Sequence, residues 1–171
     1  LKGRNGDVWQ VEVDNNGDKQ TVEAKQVIIA TGSVPRPLPL IDIDNINVLD
    51  NEGALNLEAV PQKLGVIGSG VIGLEMGSVW KRLGADVTIL EAAPAFMAAA
   101  DQQIAREALR TFTKEQGLKI ELGVEISAVS QDKNGVSVNY KLKDADHSAT
   151  FDKLIVAIGR IPNTQGLNAA E

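Results

Sequence analysis

The sequence predicts an α/β fold: a parallel sheet built from βαβ units, with an inserted three-stranded antiparallel meander. Three observations predict it. Residues 63–91 read KLGVIGSGVIGLEMGSVWKRLGADVTILE: an apolar run, a glycine cluster, a helical pattern, then a second apolar run ending in an acid. Residues 102–122 repeat the order of helix and strand. Between Val124 and Phe151 the period drops to two and turn residues interrupt it twice, before a fully apolar run at 154–158.

The glycine cluster sets the chemistry. Gly68, Gly70 and Gly73 follow a strand-like run and open a helix, the context of a dinucleotide-binding turn in a Rossmann-like sheet. Gly68 allows a sharp turn off the strand. Gly70 carries no side chain, so a pyrophosphate can approach the backbone, and Gly73 lets the helix lie on the sheet. The helix start offers N–H groups and a partial positive charge to an anion. Glu91 stands 23 positions beyond Gly68, near the roughly 20 expected of the acid that accepts the adenosine ribose hydroxyls. Its charge would repel a 2′-phosphate. Ala92 and Ala93 follow, with no arginine to hold one, so the cofactor reads as NAD rather than NADP.

The 171 residues suffice for one domain of ordinary size, and 43 % apolar, 23 % charged and a net charge of −6 describe an ordinary soluble composition. No basic stripe suggests nucleic acid, no apolar run approaches a membrane span, and the start lacks the apolar centre of a signal peptide. There is no cysteine, which fits a reducing compartment and excludes a thiol nucleophile, a thiolate zinc site or a redox disulfide within these residues.

Taken in order, residues 8–13 alternate, with Trp9, Val11 and Val13 on one face; residues 15–18 turn, and 21–24 return as a strand. Residues 27–30, VIIA, read as a buried strand ending in Thr31-Gly32-Ser33. Pro35, Pro37 and Pro39 mark an extended linker, and Asp50 is placed to cap a short helix over 51–55. The first long helix is expected over 71–83, with Ile72, Met76, Val79, Trp80 and Leu83 as its core stripe and Gly84 as its stop. Asp101 should cap a second, over 102–116, burying Ile104, Ala105, Ala108, Leu109 and Phe112. Residues 118–122 form the third parallel strand. In the meander Val124, Ile126 and Ala128 alternate, as do Val136, Val138, Tyr140 and Leu142; turns fall at Asn134-Gly135 and at 144–147, which puts His147 in an exposed turn. The sheet so reached has about four parallel strands. Ligands bind beyond the carboxyl ends of such strands, which gathers Gly68, Glu91 and Gly159.

IIATGS (28–33), GSGVIGLEMGSVWKRLGADVTILE (68–91) and KLIVAIGRIPNT (153–164) occur in the order and spacing of the flavin-dependent pyridine nucleotide–disulfide oxidoreductases. The middle segment most resembles their dihydrolipoamide dehydrogenase branch. The resemblance implies that Gly68, Ser69, Gly70, Val71, Ile72, Gly73, Leu74 and Glu75 form the NAD loop. Val71 would be the gate over the flavin and Glu75 the carboxylate for the nicotinamide amide. Ile126 resembles an adenine-side contact and Gly159 a late backbone contact to NAD. Gly3 and Thr31, Gly32 and Ser33 resemble FAD contacts. Residues 1–37 would be the last strands of a FAD-binding domain, 38–61 a linker, 62–160 the NAD-binding domain and 161–171 the start of the return.

The resemblance to that branch implies that the parent passes electrons from dihydrolipoamide through a disulfide and FAD to NAD. It implies a homodimer partner, lipoyl domains of 2-oxo acid dehydrogenase complexes, and a bacterial cytoplasm or mitochondrial matrix. The CxxxxC pair and the His–Glu pair of the family do not occur in these residues, so no catalytic residue is assigned and 1–171 alone is expected not to turn over. Ile161 stands where the family often has a second arginine, and Ala92 to Ala100 has lost charges often seen there. A different flavin disulfide reductase, a transhydrogenase or a standalone NAD-binding module remains an alternative.

Overall fold

The computed structural model describes residues 1–168 and divides the chain into two compact units, 1–34 with the residues from 160 onward, and 35–159. Residues 169–171, the end of the expected return segment, lie outside the described residues. In chain order the strands and helices are β1 (Gly3–Asn5), β2 (Val8–Asn15), β3 (Asp18–Ala24), β4 (Ser33–Pro35), β5 (Val48–Leu49), α1 (Asn51–Leu55), β6 (Lys63–Ile67), α2 (Val71–Leu83), β7 (Asp86–Glu91) and α3 (Gln102–Arg110). A π-helical turn, Thr111–Glu115, continues α3. Then come β8 (Lys119–Leu122), β9 (Glu125–Asp132), β10 (Gly135–Leu142), β11 (Ala145–Phe151), β12 (Lys153–Val156) and β13 (Arg160–Pro162).

The larger unit is organised by a five-stranded parallel sheet in the order β5-β12-β6-β7-β8. Its central strands β12, β6 and β7 are mainly apolar because both faces are covered. Leu64 and Val66 of β6, Val87 and Ile89 of β7 and Ile155 of β12 pack on the helix side with Leu74, Trp80, Phe96 and Ala105. Ile67, Leu90, Leu154 and Val156 point the other way, onto Val136, Val138, Tyr140 and Phe151 of the meander. Strand periodicity thus feeds two cores from one sheet.

Local signals account for the boundaries. Asp50 accepts from the Glu52 and Gly53 N–H groups and Asp101 from those of Gln103 and Ile104, so both predicted caps form. Helix α2 occupies the predicted span and ends at Gly84, φ +115°. Its buried face is Gly73, Leu74, Gly77 and Trp80, however, whereas Val79 and Leu83 are exposed. A face with glycines approaches the sheet more closely than one with branched side chains; of the expected stripe, Trp80 and Met76 pack on the core and only Val79 and Leu83 turn outward. In α3, Ile104 is 64 % exposed, and the helix changes to a π turn five residues before Gln116. Leu109 and Phe112 both still pack on the core, Phe112 edge-on to Phe96 at 6.4 Å.

Residues read as linker contribute to the sheet: Val48 and Leu49 are fully buried as edge strand β5, a fifth parallel strand. In the meander the pairing slips after Asn139, which faces Ala128 while Tyr140 faces Ile126, so Ser127 is the extra residue. Such a bulge inverts the alternation, and Val129 rather than Ala128 turns inward. The second hairpin turn is Lys143-Asp144, both at positive φ. His147 therefore lies in β11, exposed and stacked on Tyr140 at 5.4 Å, not in a turn.

The smaller unit holds the three-stranded antiparallel sheet β1-β2-β3 and the pair β4–β13. Residues 3–5, unassigned in the sequence, pair with β2. Residues 27–30 form no strand, and Ile28 and Ile29 are 90 % and 51 % exposed. An apolar run becomes a buried strand only when neighbouring strands pair with it, and none among the described residues does. Trp9 is half-buried with the Arg4 guanidinium 5.2 Å from its ring centroid.

Gly65 of β6 is packed against the meander: a Cβ there would lie 2.6 Å from Phe151 Cδ2 and 2.8 Å from Leu154 Cδ1. Gly65→Ala is expected to cost about 1–3 kcal/mol through overpacking, read from urea unfolding. An unchanged midpoint would mean that the sheet and meander are not held at this spacing.

Candidate functional site

The site is the point where the sheet order reverses. From β6 the chain proceeds outward through β7 and β8, and β12 returns to the other side of β6. The three central strands end together. Gly68 N–H donates to the Leu90 carbonyl at 2.8 Å, Ala157 N–H to that of Ile67 at 2.8 Å, and Val124 N–H to that of Glu91 at 2.9 Å.

The three glycines have different surroundings. At Gly68, φ is +103° and a Cβ would sit 2.5 Å from the Ala157 carbonyl oxygen. At Gly73 a Cβ would sit 2.0 Å from the Gly68 carbonyl oxygen. At Gly70, the N-cap of α2, a Cβ would meet nothing within 4 Å. Two glycines are therefore needed for packing, and the third leaves open space before the helix. No side chain caps α2 and no acid occupies its first turn, so its leading N–H groups suit an anion.

Glu91, at the end of β7, is fixed to this turn. Its Oε2 accepts from Ser69 N–H at 2.6 Å and from the Ser69 hydroxyl at 3.0 Å, and its Oε1 accepts from Ala93 N–H at 2.8 Å. Burial is the largest single influence on this carboxyl and opposes ionisation. The N–H groups of Ala93 and Ser69, the Ser69 hydroxyl and the Ala92 N–H together outweigh it, holding the group below its ordinary range. Glu91 is thus an anchored carboxylate beside a helix start.

Around these residues lies an open cleft of about 420 Å³, lined by Ser69, Gly70, Val71 and Glu91 and walled by Ala93, Ala95, Met97 and Ala98 to Ala100. The alanine-rich wall went unassigned in the sequence. Met97 adopts φ +47° there, a backbone choice that no pattern of apolar residues announces. A second groove of about 450 Å³ runs along α2, lined by Val71, Glu75, Ser78, Val79 and Arg82, with Met97 and Phe112 opposite. Val71 belongs to both. Glu75 is exposed on the second turn of α2.

Other expected residues are placed differently. Leu74 is core, 4 % exposed, and Ile72 is half-buried. Ile126 packs against the meander core and does not line the cleft. Gly159, φ +117°, lies three residues beyond β12, its carbonyl accepting from Arg36 N–H at 3.0 Å. In the smaller unit, Gly3 (φ +111°) lines a cavity of about 190 Å³ with Trp9, Val27 and Ile29. Thr31, Gly32 and Ser33 do not line it. The Thr31 hydroxyl donates to the Asn163 carbonyl, Asn163 N–H donates to that of Gly32, and Arg160 Nε donates to the Ser33 hydroxyl at 2.7 Å. Among the described residues no three His, Cys, Asp or Glu side chains are grouped to hold a metal, and no helix is long and apolar enough to cross a membrane.

A parallel sheet with a glycine turn at its reversal point and helices on one face defines an α/β protein of the Rossmann-like class. The chain belongs to the pyridine nucleotide-disulphide oxidoreductase family, whose model matches residues 4–171. It is 56 % identical over 166 residues to a dihydrolipoyl dehydrogenase of Cupriavidus necator, covering 96 % of this chain and 34 % of that protein. To the mitochondrial dihydrolipoyl dehydrogenase of Bos taurus it is 40 % identical over 164 residues, 91 % of this chain and 31 % of that one. The chain thus spans about a third of the length of the curated relatives it matches. Among solved structures, LpdA of Mycobacterium tuberculosis superposes with a TM-score of 0.83 at 28 % identity, over 95 % of this chain and 35 % of that one. The HOCl-induced flavoprotein disulfide reductase RclA of Escherichia coli gives 0.74 at 33 %, over 91 % and 34 %.

A carboxyl held below its ordinary range stabilises the fold above its unfolded value, 4.5, and loses that contribution as pH falls through the lower folded value. Glu91→Gln should therefore be less stable than wild type at pH 7 by about 1 kcal/mol, the partly exposed hydrogen bonds being discounted. The gap should close below pH 4.5. Urea titrations at pH 7 and in acid test this, and a gap independent of pH would show that the anchoring does not depend on the charge.

Proposed function

We propose that the larger unit binds NAD(H) and that the chain is the NAD-binding part of a dihydrolipoamide dehydrogenase. One observation carries the reading: the Glu91 carboxylate is fixed against the glycine turn, beside an uncapped helix start with open space at Gly70. These residues fit a dinucleotide. Gly68 to Gly73 would hold the pyrophosphate by backbone N–H groups and Glu91 would accept the adenosine ribose hydroxyls, disfavouring a 2′-phosphate. Val71 and Glu75 would serve the nicotinamide end, and Ile126 and Gly159 would complete the contacts. Bound NAD would accept hydride from a reduced flavin; the residues of this chain bind and orient it.

By the same reading, residues 1–37 and 161–171 are parts of a FAD-binding domain, with Gly3, Thr31, Gly32 and Ser33 on the FAD side, 38–61 connects it, and 62–160 is the NAD-binding domain. The parent enzyme would oxidise dihydrolipoamide on lipoyl domains of 2-oxo acid dehydrogenase complexes, as a homodimer, in the bacterial cytoplasm or mitochondrial matrix. Identity of 56 % to a dihydrolipoyl dehydrogenase, against 33 % to the RclA reductase, supports this branch over another disulfide reductase.

Calorimetric titration of the chain with NADH and NADPH tests the reading. NADH should bind more tightly than NADPH. Gly70→Ala, whose Cβ enters open space, should cost less than about 1 kcal/mol of stability, yet weaken NADH by at least roughly tenfold, about 1.4 kcal/mol. Equal binding of NADH by wild type and Gly70→Ala would place the pyrophosphate elsewhere.

A further inference from the structure

Ser69 occupies the variable position between the first two glycines, where a side chain is not needed to make the turn. It is nevertheless 3 % exposed, the one buried polar side chain among the described residues. It gives two donors, its N–H at 2.6 Å and its hydroxyl at 3.0 Å, to the same oxygen, Glu91 Oε2. Ala93 N–H, two residues beyond Glu91, meets the other oxygen at 2.8 Å. An alanine at 69 would offer only its N–H. Bonds to an ionised acceptor are the strong ones, and two donors from one residue fix the direction of an oxygen as well as its position. With Oε2 so occupied, a ribose hydroxyl must be accepted chiefly at Oε1.

We propose that the Ser69 hydroxyl is a positioning and specificity-determining group, which locks Glu91 so that the carboxylate meets an unmodified adenosine ribose and rejects a 2′-phosphate. This rests on the cofactor reading above. A carboxylate locked before the ligand arrives loses less freedom on binding. It is also unable to swing aside from a phosphate, and Ala92 and Ala93 supply no cation to soften the encounter. Without the hydroxyl, the carboxylate regains freedom, so NADH binding weakens and the penalty against NADPH shrinks.

A double-mutant cycle on the 171-residue chain tests it, with NADH and NADPH affinities measured by calorimetry and folding checked by thermal melts. Ser69→Ala should weaken NADH by roughly 3- to 10-fold and narrow the ratio between NADH and NADPH. In a Glu91→Ala background the same substitution should change NADH affinity by less than about twofold, because the hydroxyl acts through Glu91. A merely structural effect on the turn would persist in both backgrounds. Should Ser69→Ala fail to fold, Ser69→Cys, similar in size but a weak donor, carries the same cycle. If wild type binds NADH and Ser69→Ala is silent, or costs the same with and without Glu91, the inference is overturned while the cofactor reading stands. If wild type binds no NADH, both fall.

Discussion

The larger unit depends on one close approach of backbone to backbone. The Gly68 carbonyl lies where a Cβ of residue 73 would be, and the Ala157 carbonyl lies where a Cβ of residue 68 would be. Strand β6, the turn, helix α2 and the end of β12 therefore meet at distances that only residues without a Cβ allow. The same contact sets the site. It brings the end of β12 to the turn, and the ladder from Ile67 to Leu90 then brings Glu91 within reach of Ser69. Space is left at Gly70 alone, the one glycine of the three whose missing side chain is not required by packing.

The sheet that delivers these ends is buried on both faces by unlike layers. Helices α2 and α3 cover one, and the meander covers the other, so that β6 sends Leu64 and Val66 to one core and Ile67 to the second. A sheet anchored on both sides resists the shift along its strands that would separate Gly68 from Ala157. The meander also removes one helical crossover. After it β12 returns beside β6, which gives the reversal of strand order at which the cleft opens.

How far the sequence disclosed this differs from residue to residue. Strands β6 and β7, helix α2 and the caps at Asp50 and Asp101 were legible because each rests on local chemistry: apolar runs, a glycine stop, a side-chain acceptor. Gly68, Gly70, Gly73 and Glu91 were legible by spacing. The facing of α2 was legible in part: Gly73 announces a close approach to the sheet and Trp80 a core position, whereas hydrophobicity also marks Val79 and Leu83 as buried, and they are exposed. Not legible were the bulge at Ser127, which depends on the partner strand, and the wall at Met97, which depends on a positive φ. Residues 27–30 failed in the opposite sense. Their composition is that of a buried strand, but burial is supplied by neighbours, and composition alone cannot supply them. The two bonds from Ser69 to Glu91 required distances: as a letter between two glycines it is only a small residue.

The electrostatics of the cleft look contradictory until distances are considered. The chain carries −6, its candidate ligand is an anion, and a carboxylate stands beside the binding turn. Net charge acts over lengths that salt screens within about 8 Å at physiological ionic strength, so it opposes the approach only weakly. At contact the balance is local. Glu91 is met by donors on both oxygens, which spread its charge into the turn and leave the uncapped start of α2 facing the cleft as the nearest uncompensated partial charge, a positive one. The proposed selectivity would follow from the same arrangement. On the proposed reading, a pyrophosphate at Gly70 would meet N–H groups, whereas a further phosphate on the ribose would meet a carboxylate held by three donors. One anion would thus be accepted and another refused within a single turn of chain, and the geometry that would separate them is the fixing of Glu91 by Ser69.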